Sequence, residues 1–155
     1  METTSPEVRQ AGRDDAEVVA RLLDAFNTEF GTPSPGAVVL AGRLRRLLGG
    51  TDLLAVLVGR PAVGVAVISL RRNVWSDGPV ALLDELYVRP DRRNGGLGTL
   101  LLAAACDLAR AHGSELLEIN VDGEDHDTRR FYERNGFVNR DPGQPEPQLY
   151  YSRAL

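Results

Sequence analysis

A glycine-rich stretch in the middle of the chain has the composition of an anion-binding turn. Residues 93–99 read Arg-Asn-Gly-Gly-Leu-Gly-Thr and stand between a long apolar run and a segment with helical spacing. Glycines at such a junction let the main chain approach a ligand closely, and the free N–H groups and the dipole of the following helix attract negative charge. The pattern favours a phosphate or pyrophosphate, with Arg92 and Arg93 adding positive charge. A turn that needs glycine only for its shape is the other interpretation.

The residues present exclude two familiar nucleotide-binding motifs. The chain has no lysine, since all 18 of its basic residues are arginine, so a Walker P-loop cannot form. The Rossmann fingerprint needs another glycine spacing and a βαβ unit, whereas the apolar runs before residue 93 are spaced as hairpin strands. A phosphate at this turn would therefore be held by main-chain N–H groups and arginine.

A second distinctive stretch follows one helix and one strand later. Residues 131–137 read Phe-Tyr-Glu-Arg-Asn-Gly-Phe at the end of a short predicted helix. Together with residues 83–98, this stretch resembles the signatures of the GNAT superfamily of N-acetyltransferases. The family's Gln/Arg-x-x-Gly-x-Gly/Ala motif is matched at Arg93, Gly96 and Gly98, and its Phe-Tyr-Glu-x-x-Gly-Phe signature is matched over residues 131–137. Either motif alone is weak, but the two in this order are specific.

The resemblance implies that acetyl-CoA is the cosubstrate and that the main chain holds most of it. In such enzymes the strand before the glycine turn pairs with the pantetheine arm like an added strand, and the turn holds the pyrophosphate. Six residues before Phe131 the family often has asparagine, whereas this chain has Asp125, which loses the amide donor and adds charge near an anion. The cofactor-binding residues so implied are Leu86, Tyr87, Val88, Arg93, Asn94, Gly95, Gly96, Leu97, Gly98, Thr99, Asp125 and Tyr132.

The resemblance also assigns the general acid of the reaction to Tyr132. Acyl transfer to an amine passes through an oxyanion, which a main-chain N–H of Leu86–Val88 could stabilise, and releases a thiolate that takes up a proton. Proton transfer from a tyrosine with a pKa of about 10 to a thiolate with a pKa of about 8.5 is uphill by roughly 2 kcal/mol, which a positioned group can manage. The other interpretation of Tyr132 is a ring packed between helix and sheet.

A base is also needed, because an ammonium group must lose a proton before its nitrogen can attack. Some family members use a glutamate twelve residues before the tyrosine, where this chain has Asn120, which cannot act as a base. Others use a carboxylate on the strand before the glycine turn, which points to Asp84 and Glu85. Strand alternation predicts that these neighbours face opposite sides. Similarity to polyamine acetyltransferases favours Asp84 as the base. The longer reach of a glutamate side chain favours Glu85, which we prefer. The alternative is that neither carboxylate is a base: one of the two is then a solvated charge, and the other is a structural partner of an arginine.

Acidic residues crowd one predicted strand and the loop after it, where they could concentrate a cationic amine. These residues are Glu115, Glu118, Asp122, Glu124, Asp125 and Asp127. A solvated charged face is the ordinary alternative. In the family the first two helices form the acceptor wall, and the substrate-binding candidates are Asn27, Glu29, Phe30, Trp75 and Asn120, of which Phe30 and Trp75 could equally be core residues.

The function predicted from this resemblance is direct transfer of an acetyl group from acetyl-CoA to a primary amine of a small cationic acceptor, polyamine- or aminoglycoside-like. A protein N-terminus or lysine as the acceptor is the first alternative. A non-catalytic acyl-CoA-binding module is the second, and turnover with an amine panel would separate it from the enzymes.

Local patterns predict the elements that must position these residues. Apolar residues at helical spacing predict helices over about 14–30, 37–48, 97–111 and 126–135. Long valine-rich runs predict strands at Leu53–Val58, Ala62–Leu70 and Val80–Val88. Weaker strands are predicted at Val8–Ala11, Glu115–Val121, Phe137–Arg140 and Gln148–Ala154. The order β-α-α-β-β-β-α-β-α-β-β indicates an α/β (α+β) fold, and the resemblance implies a mixed, mostly antiparallel sheet of six or seven strands with about four helices.

Composition sets the broad class of the protein. A chain of 155 residues with no linker predicts a single domain over residues 1–155, and the lone cysteine excludes a disulfide framework. A net charge of -4 and the absence of a basic run argue against nucleic acid, and no apolar stretch reaches the roughly 20 residues of a membrane span. We expect a cytoplasmic protein without a metal, of bacterial origin given its arginine- and alanine-rich composition. A homodimer is expected by analogy with the family.

Overall fold

The computed structural model of the protein describes residues 5–155. It has two compact units, an N-terminal unit that ends at Ile119 and a C-terminal unit of Asn120–Leu155. None of the described helices reaches the length and hydrophobicity of a membrane span. In chain order the elements are β1 (Val8–Gln10), a 3-10 turn (Arg13–Asp15), α1 (Ala16–Glu29), α2 (Ala37–Leu47), β2 (Leu53–Val58), β3 (Gly64–Arg71), β4 (Val80–Val88), a second 3-10 turn (Pro90–Arg92), α3 (Leu97–Ala111), β5 (Leu117–Ile119) and α4 (His126–Arg134).

The predicted mixed α/β fold is confirmed, with a sheet of strand order β1-β2-β3-β4-β5. The first four strands are antiparallel neighbours, and β5 is parallel to β4. β2 and β3 are buried almost throughout because helices cover both faces of the sheet. On one face α1 and α2 share a core with Val65. On the other face α3 comes so close that a Cβ at Gly64 would lie 3.0 Å from Leu101 Cδ1.

The C-terminal unit contains α4 and an irregular segment. The strands predicted over Phe137–Arg140 and Gln148–Ala154 do not form, so the described residues contain five strands rather than six or seven. Their backbones meet at one main-chain hydrogen bond, from Gln148 N to Asn139 O at 2.6 Å. Pro142, Pro145 and Pro147 have no N–H to donate to a ladder, and the residues around them are exposed. Alternating apolar residues in these two short stretches are therefore not enough to form strands.

Candidate active site

One extra residue in β4 decides where the two candidate bases point. Val67 lies opposite Glu85, but Ile68 lies opposite Leu83, so Asp84 has no partner on β3 and forms a β-bulge. Val67 packs on the face covered by α1, and Glu85 opposite it shares that face. Asp84 reaches the same face, because its carboxylate shares a hydrogen bond with Ser69, two residues beyond Val67.

The expectation that Asp84 and Glu85 face opposite sides is therefore wrong, because the bulge interrupts the alternation that it assumed. Burial raises the pKa of Glu85, and the neighbouring Asp84 charge raises it further. Burial also raises the pKa of Asp84. The hydrogen bond with Ser69 lowers this pKa, but the effect of burial is larger. Glu85 is the less exposed of the two. Carboxylates with raised pKa values accept protons more readily at neutral pH than ordinary ones do.

Beyond the bulge, one edge of β4 has no neighbouring strand among residues 5–155. β5 pairs only with Ala81–Leu83. The main-chain hydrogen bond from Arg89 N to Val63 O, 2.9 Å long, shows which residues of β4 bond to β3. Since main-chain groups alternate between the two sides of a strand, the N–H and C=O groups of Leu86 and Val88 point away from β3. This open edge can pair with an extended ligand, as the family resemblance implies for Leu86, Tyr87 and Val88.

The glycine turn joins the end of β4 to α3. Asn94 has φ of 62° and Gly96 has φ of 83°, a left-handed conformation that favours these two residue types. Gly96 is the N-cap of α3, and no side chain in the described part of the protein caps this helix end. The N–H groups of Leu97, Gly98 and Thr99 have no acceptor within the helix, because its first such bond runs from Leu100 N to Gly96 O. The turn thus presents several main-chain donors with the positive end of a helix dipole.

Arg93, at the start of the glycine turn, is held by residues from two other elements. Its Nη1 and Nη2 each donate to Glu29 over 2.8 Å, and its Nε donates to Val88 O over 2.9 Å. The Tyr87 hydroxyl donates to Glu29 over 3.2 Å, and the Arg93 guanidinium lies 5.6 Å from the centroid of the Tyr87 ring. The pairing with Arg93 holds the pKa of Glu29 below its usual value. The structure thus joins a predicted cofactor residue to a predicted acceptor residue.

The C-terminal unit contains the predicted acid and the residue that departs from the family pattern. Tyr132 is 7% exposed and packs edge-on against Phe131 and Phe137, with ring centroids 5.1 and 5.4 Å apart. Asp125 is the N-cap of α4 and accepts a hydrogen bond from Thr128 N over 3.1 Å. Hydrogen bonds from the Thr128 side chain and main chain lower the pKa of Asp125. A helix cap is a local role for this carboxylate.

The other acceptor candidates lie in different local settings. Phe30 and Trp75 are 60% and 92% exposed, so the interpretation of these two rings as core residues is wrong. The Asn27 side chain donates to Pro33 O over 2.9 Å and closes the turn after α1. Asn120 is the first residue of the C-terminal unit. Their assignment to the acceptor site stays a prediction.

Several residues of the acidic run have partners of their own. Glu118 lies 3.8 Å from Arg71, Asp127 pairs with Arg130, and Asp125 caps α4. Sequence reasoning missed Ser69 and the bulge, because no pattern in residues 80–88 marks where an extra residue falls. It also missed the pairing of Glu29 with Arg93, which are distant in sequence.

Comparison with known proteins adds independent information. A model of the acetyltransferase (GNAT) family matches residues 19–137. The solved structure of a presumed acetyltransferase from Arthrobacter sp. FB24 is 56% identical, covers 100% of this chain and 98% of that one, and has a TM-score of 0.91. The uncharacterized N-acetyltransferase YhfO of Bacillus subtilis is 34% identical over 84% of this chain and 88% of its own length.

More distant relatives share the fold or part of the sequence. The aminoglycoside N-acetyltransferase AAC(6')-Iy, solved in complex with CoA, is 18% identical over 100% of both chains, with a TM-score of 0.77. The match to the mycothiol acetyltransferase of Beutenbergia cavernae is 36% identical and covers 45% of this chain but only 25% of that protein.

Proposed function

The chain belongs to the GNAT family of N-acetyltransferases, and we propose that it transfers the acetyl group of acetyl-CoA to a primary amine of a small cationic acceptor. The observation that carries this proposal is the open edge of β4 at Leu86 and Val88, which leads into the uncapped glycine turn. An extended amide arm that ends in a diphosphate matches both features. We further propose that residues 1–155 act as a single domain and that the enzyme is bacterial and cytoplasmic, as its composition suggests. A homodimer is proposed by analogy with the family.

GNAT acetyltransferases use acetyl-CoA, which supplies a reactive thioester. In the proposed binding mode, the N–H and C=O groups of Leu86 and the N–H of Val88 pair with the pantetheine arm. The N–H groups of residues 95–99 bind the diphosphate, supported by the α3 dipole. Glycine at 95, 96 and 98 leaves room for close approach of the ligand to the main chain.

The proposed reaction is a direct attack of the acceptor nitrogen on the thioester carbonyl carbon. Glu85, or Asp84 beside it, takes the proton from the ammonium, directly or through water. A main-chain N–H on the open edge stabilises the oxyanion of the tetrahedral intermediate. The C–S bond then breaks, and the thiolate takes a proton from Tyr132, which the family motif assigns as the acid. The nitrogen of the intermediate gives its second proton, through water, to the tyrosinate, and the proton on the carboxylate is released to solvent. The products are an acetamide and CoA.

The acceptor class is proposed from charge. The carboxylates of Asp84 and Glu85 share one face of the sheet, and the chain as a whole carries a net charge of -4. Both features favour a cation over an anion. A related fold is found in an aminoglycoside N-acetyltransferase, which agrees with a polycationic acceptor.

The decisive experiment measures thiol release from acetyl-CoA in the presence of polyamines, aminoglycosides, amino acids and peptides. We expect turnover that depends on a small polycationic amine. Turnover only with peptides would indicate a protein acceptor. CoA binding without turnover on any amine would indicate a non-catalytic module. The matched variant Tyr132→Phe should retain CoA affinity and lose about 100-fold in kcat, and an unchanged kcat would remove Tyr132 from the mechanism.

A further inference from the structure

The Glu29–Arg93 pair is an ion pair whose geometry suggests a role beyond stability. It joins the last residue of α1 to the first residue of the glycine turn, and both side chains are partly buried. A bidentate pair between arginine and a carboxylate fixes the plane of the guanidinium as well as its place. The third bond, to Val88 O, fixes the guanidinium at the end of the open edge.

Counting donors shows what Arg93 still has to offer. A guanidinium carries five N–H groups, and residues in the described part of the chain take three of them. One N–H therefore remains on Nη1 and one on Nη2. The guanidinium lies over the Tyr87 ring, and the Tyr87 hydroxyl donates to Glu29 Oε1, the oxygen that also accepts from Arg93 Nη2. Arg93 is thus a fixed cation with two unused donors beside a turn of free main-chain N–H groups.

We propose that Glu29 is a positioning residue for the cofactor site, which holds the Arg93 guanidinium so that its two remaining N–H groups meet the diphosphate of acetyl-CoA. The inference rests on the proposed function, since it takes acetyl-CoA as the ligand of the glycine turn. Glu29 touches Arg93 and Tyr87 and acts on the cofactor only through Arg93. The lowered pKa of Glu29 keeps its carboxylate charged throughout the neutral range.

The direction in which Glu29→Gln changes the affinity for CoA distinguishes a positioning role from a purely electrostatic one. Glu29 is a negative charge near the site of a negative ligand, so electrostatics alone predicts that Glu29→Gln tightens CoA binding. Positioning predicts the opposite, because a neutral amide holds the guanidinium less firmly and Arg93 becomes mobile. We expect the Kd for CoA to rise about five- to tenfold. In turnover, the KM for acetyl-CoA should rise by a similar factor.

The test is a calorimetric titration of CoA into the wild type, Glu29→Gln, Arg93→Gln and the double variant. If Glu29 acts through Arg93, its substitution has no further effect in the Arg93→Gln background. The same titrations with S-acetylpantetheine, which lacks the diphosphate, should show no difference between the wild type and Glu29→Gln. Glu17→Gln is the matched control, because Glu17 lies on the same helix and pairs with Arg45 over 2.6 Å, and it should leave the CoA Kd unchanged.

Three outcomes overturn the inference: an unchanged or lower Kd in Glu29→Gln, an equal loss of affinity for S-acetylpantetheine, or an additive double variant. Failure of the wild type to bind CoA would instead contradict the proposed function itself. Thermal unfolding of each variant separates loss of affinity from loss of folded protein.

Discussion

Asp84 and Glu85 illustrate how one residue can change the chemistry of a strand. In a regular strand only one of these carboxylates could face the α1 side of the sheet. The bulge at Asp84 brings both there, where burial raises both pKa values and the Asp84 charge raises that of Glu85 further. A raised pKa makes a carboxylate a better general base, but it lowers the stability of the folded protein above that pKa. The two consequences can be measured separately.

Loss of the Glu85 carboxylate should lower activity in a pH-dependent way. A base acts in its deprotonated form, so the wild-type rate should fall as pH drops through a pKa above the ordinary value for glutamate. We expect Glu85→Gln to lower kcat by about 100-fold and to flatten this acid limb. A pH profile of kcat/KM checks the prediction, with Asp84→Asn as the matched variant. A larger loss in Asp84→Asn would make Asp84 the base.

The same substitution should stabilise the protein at alkaline pH. Because the pKa of Glu85 is raised in the folded state, the folded protein binds more protons than the unfolded chain between the two pKa values, and its stability falls as pH rises through that window. Glu85→Gln removes this cost, so we expect Tm to rise by about 2 °C at pH 8. Below the unfolded pKa, near 4, the gain should vanish. Calorimetric scans at both pH values test this, and an equal change at each would contradict it.

At the scale of elements, close approaches between turns fix where β4 begins. Gly78 in the turn before β4 lies against Gly113 at the end of α3, and a Cβ on Gly78 would lie 2.0 Å from the Gly113 carbonyl oxygen. The oxygen belongs to the backbone, and the backbone alone sets the position of a Cβ, so the contact cannot relax by a side-chain rotation. The turn thereby ties the start of the strand with the bulge to the helix that follows the glycine turn.

Two glycine-to-alanine substitutions should therefore have opposite effects. Gly78→Ala forces the two turns apart, and we expect a loss of at least about 2 kcal/mol in the free energy of unfolding. Gly42→Ala is the control: Gly42 lies within α2, and a Cβ there meets nothing within 4 Å. Alanine is the better helix former, so it should gain about 0.5 to 1 kcal/mol. Urea unfolding measures both changes, and a neutral Gly78→Ala would show that the turns are free to separate.

At the scale of the whole molecule, charge should govern the encounter with the acceptor. The chain carries 22 acidic and 18 basic residues, and parts of the acidic run at Glu118 and Asp127 are already paired with arginine. Any steering therefore reflects the net field more than a single cluster.

We expect kcat/KM for a polycationic acceptor to fall about threefold or more between 20 and 200 mM salt, because salt screens long-range attraction. A monoamine that is neutral at the assay pH should show little change. Initial rates at low acceptor concentration measure this effect. Equal salt dependence for both acceptors would contradict steering.

The sequence by itself determined the family, the glycine turn and most element boundaries. These depend on local spacing: helical periodicity, valine-rich runs and glycines at a strand-to-helix junction all act within a few residues. It did not determine the partners of side chains that are distant in sequence. Only the tertiary structure placed Asp84 with Glu85 on one face, paired Glu29 with Arg93 and left the two C-terminal stretches irregular. The bulge and the ion pair both depend on contacts between elements. A bulge exists only in relation to the strand beside it, and this ion pair forms only because α1 and the glycine turn meet.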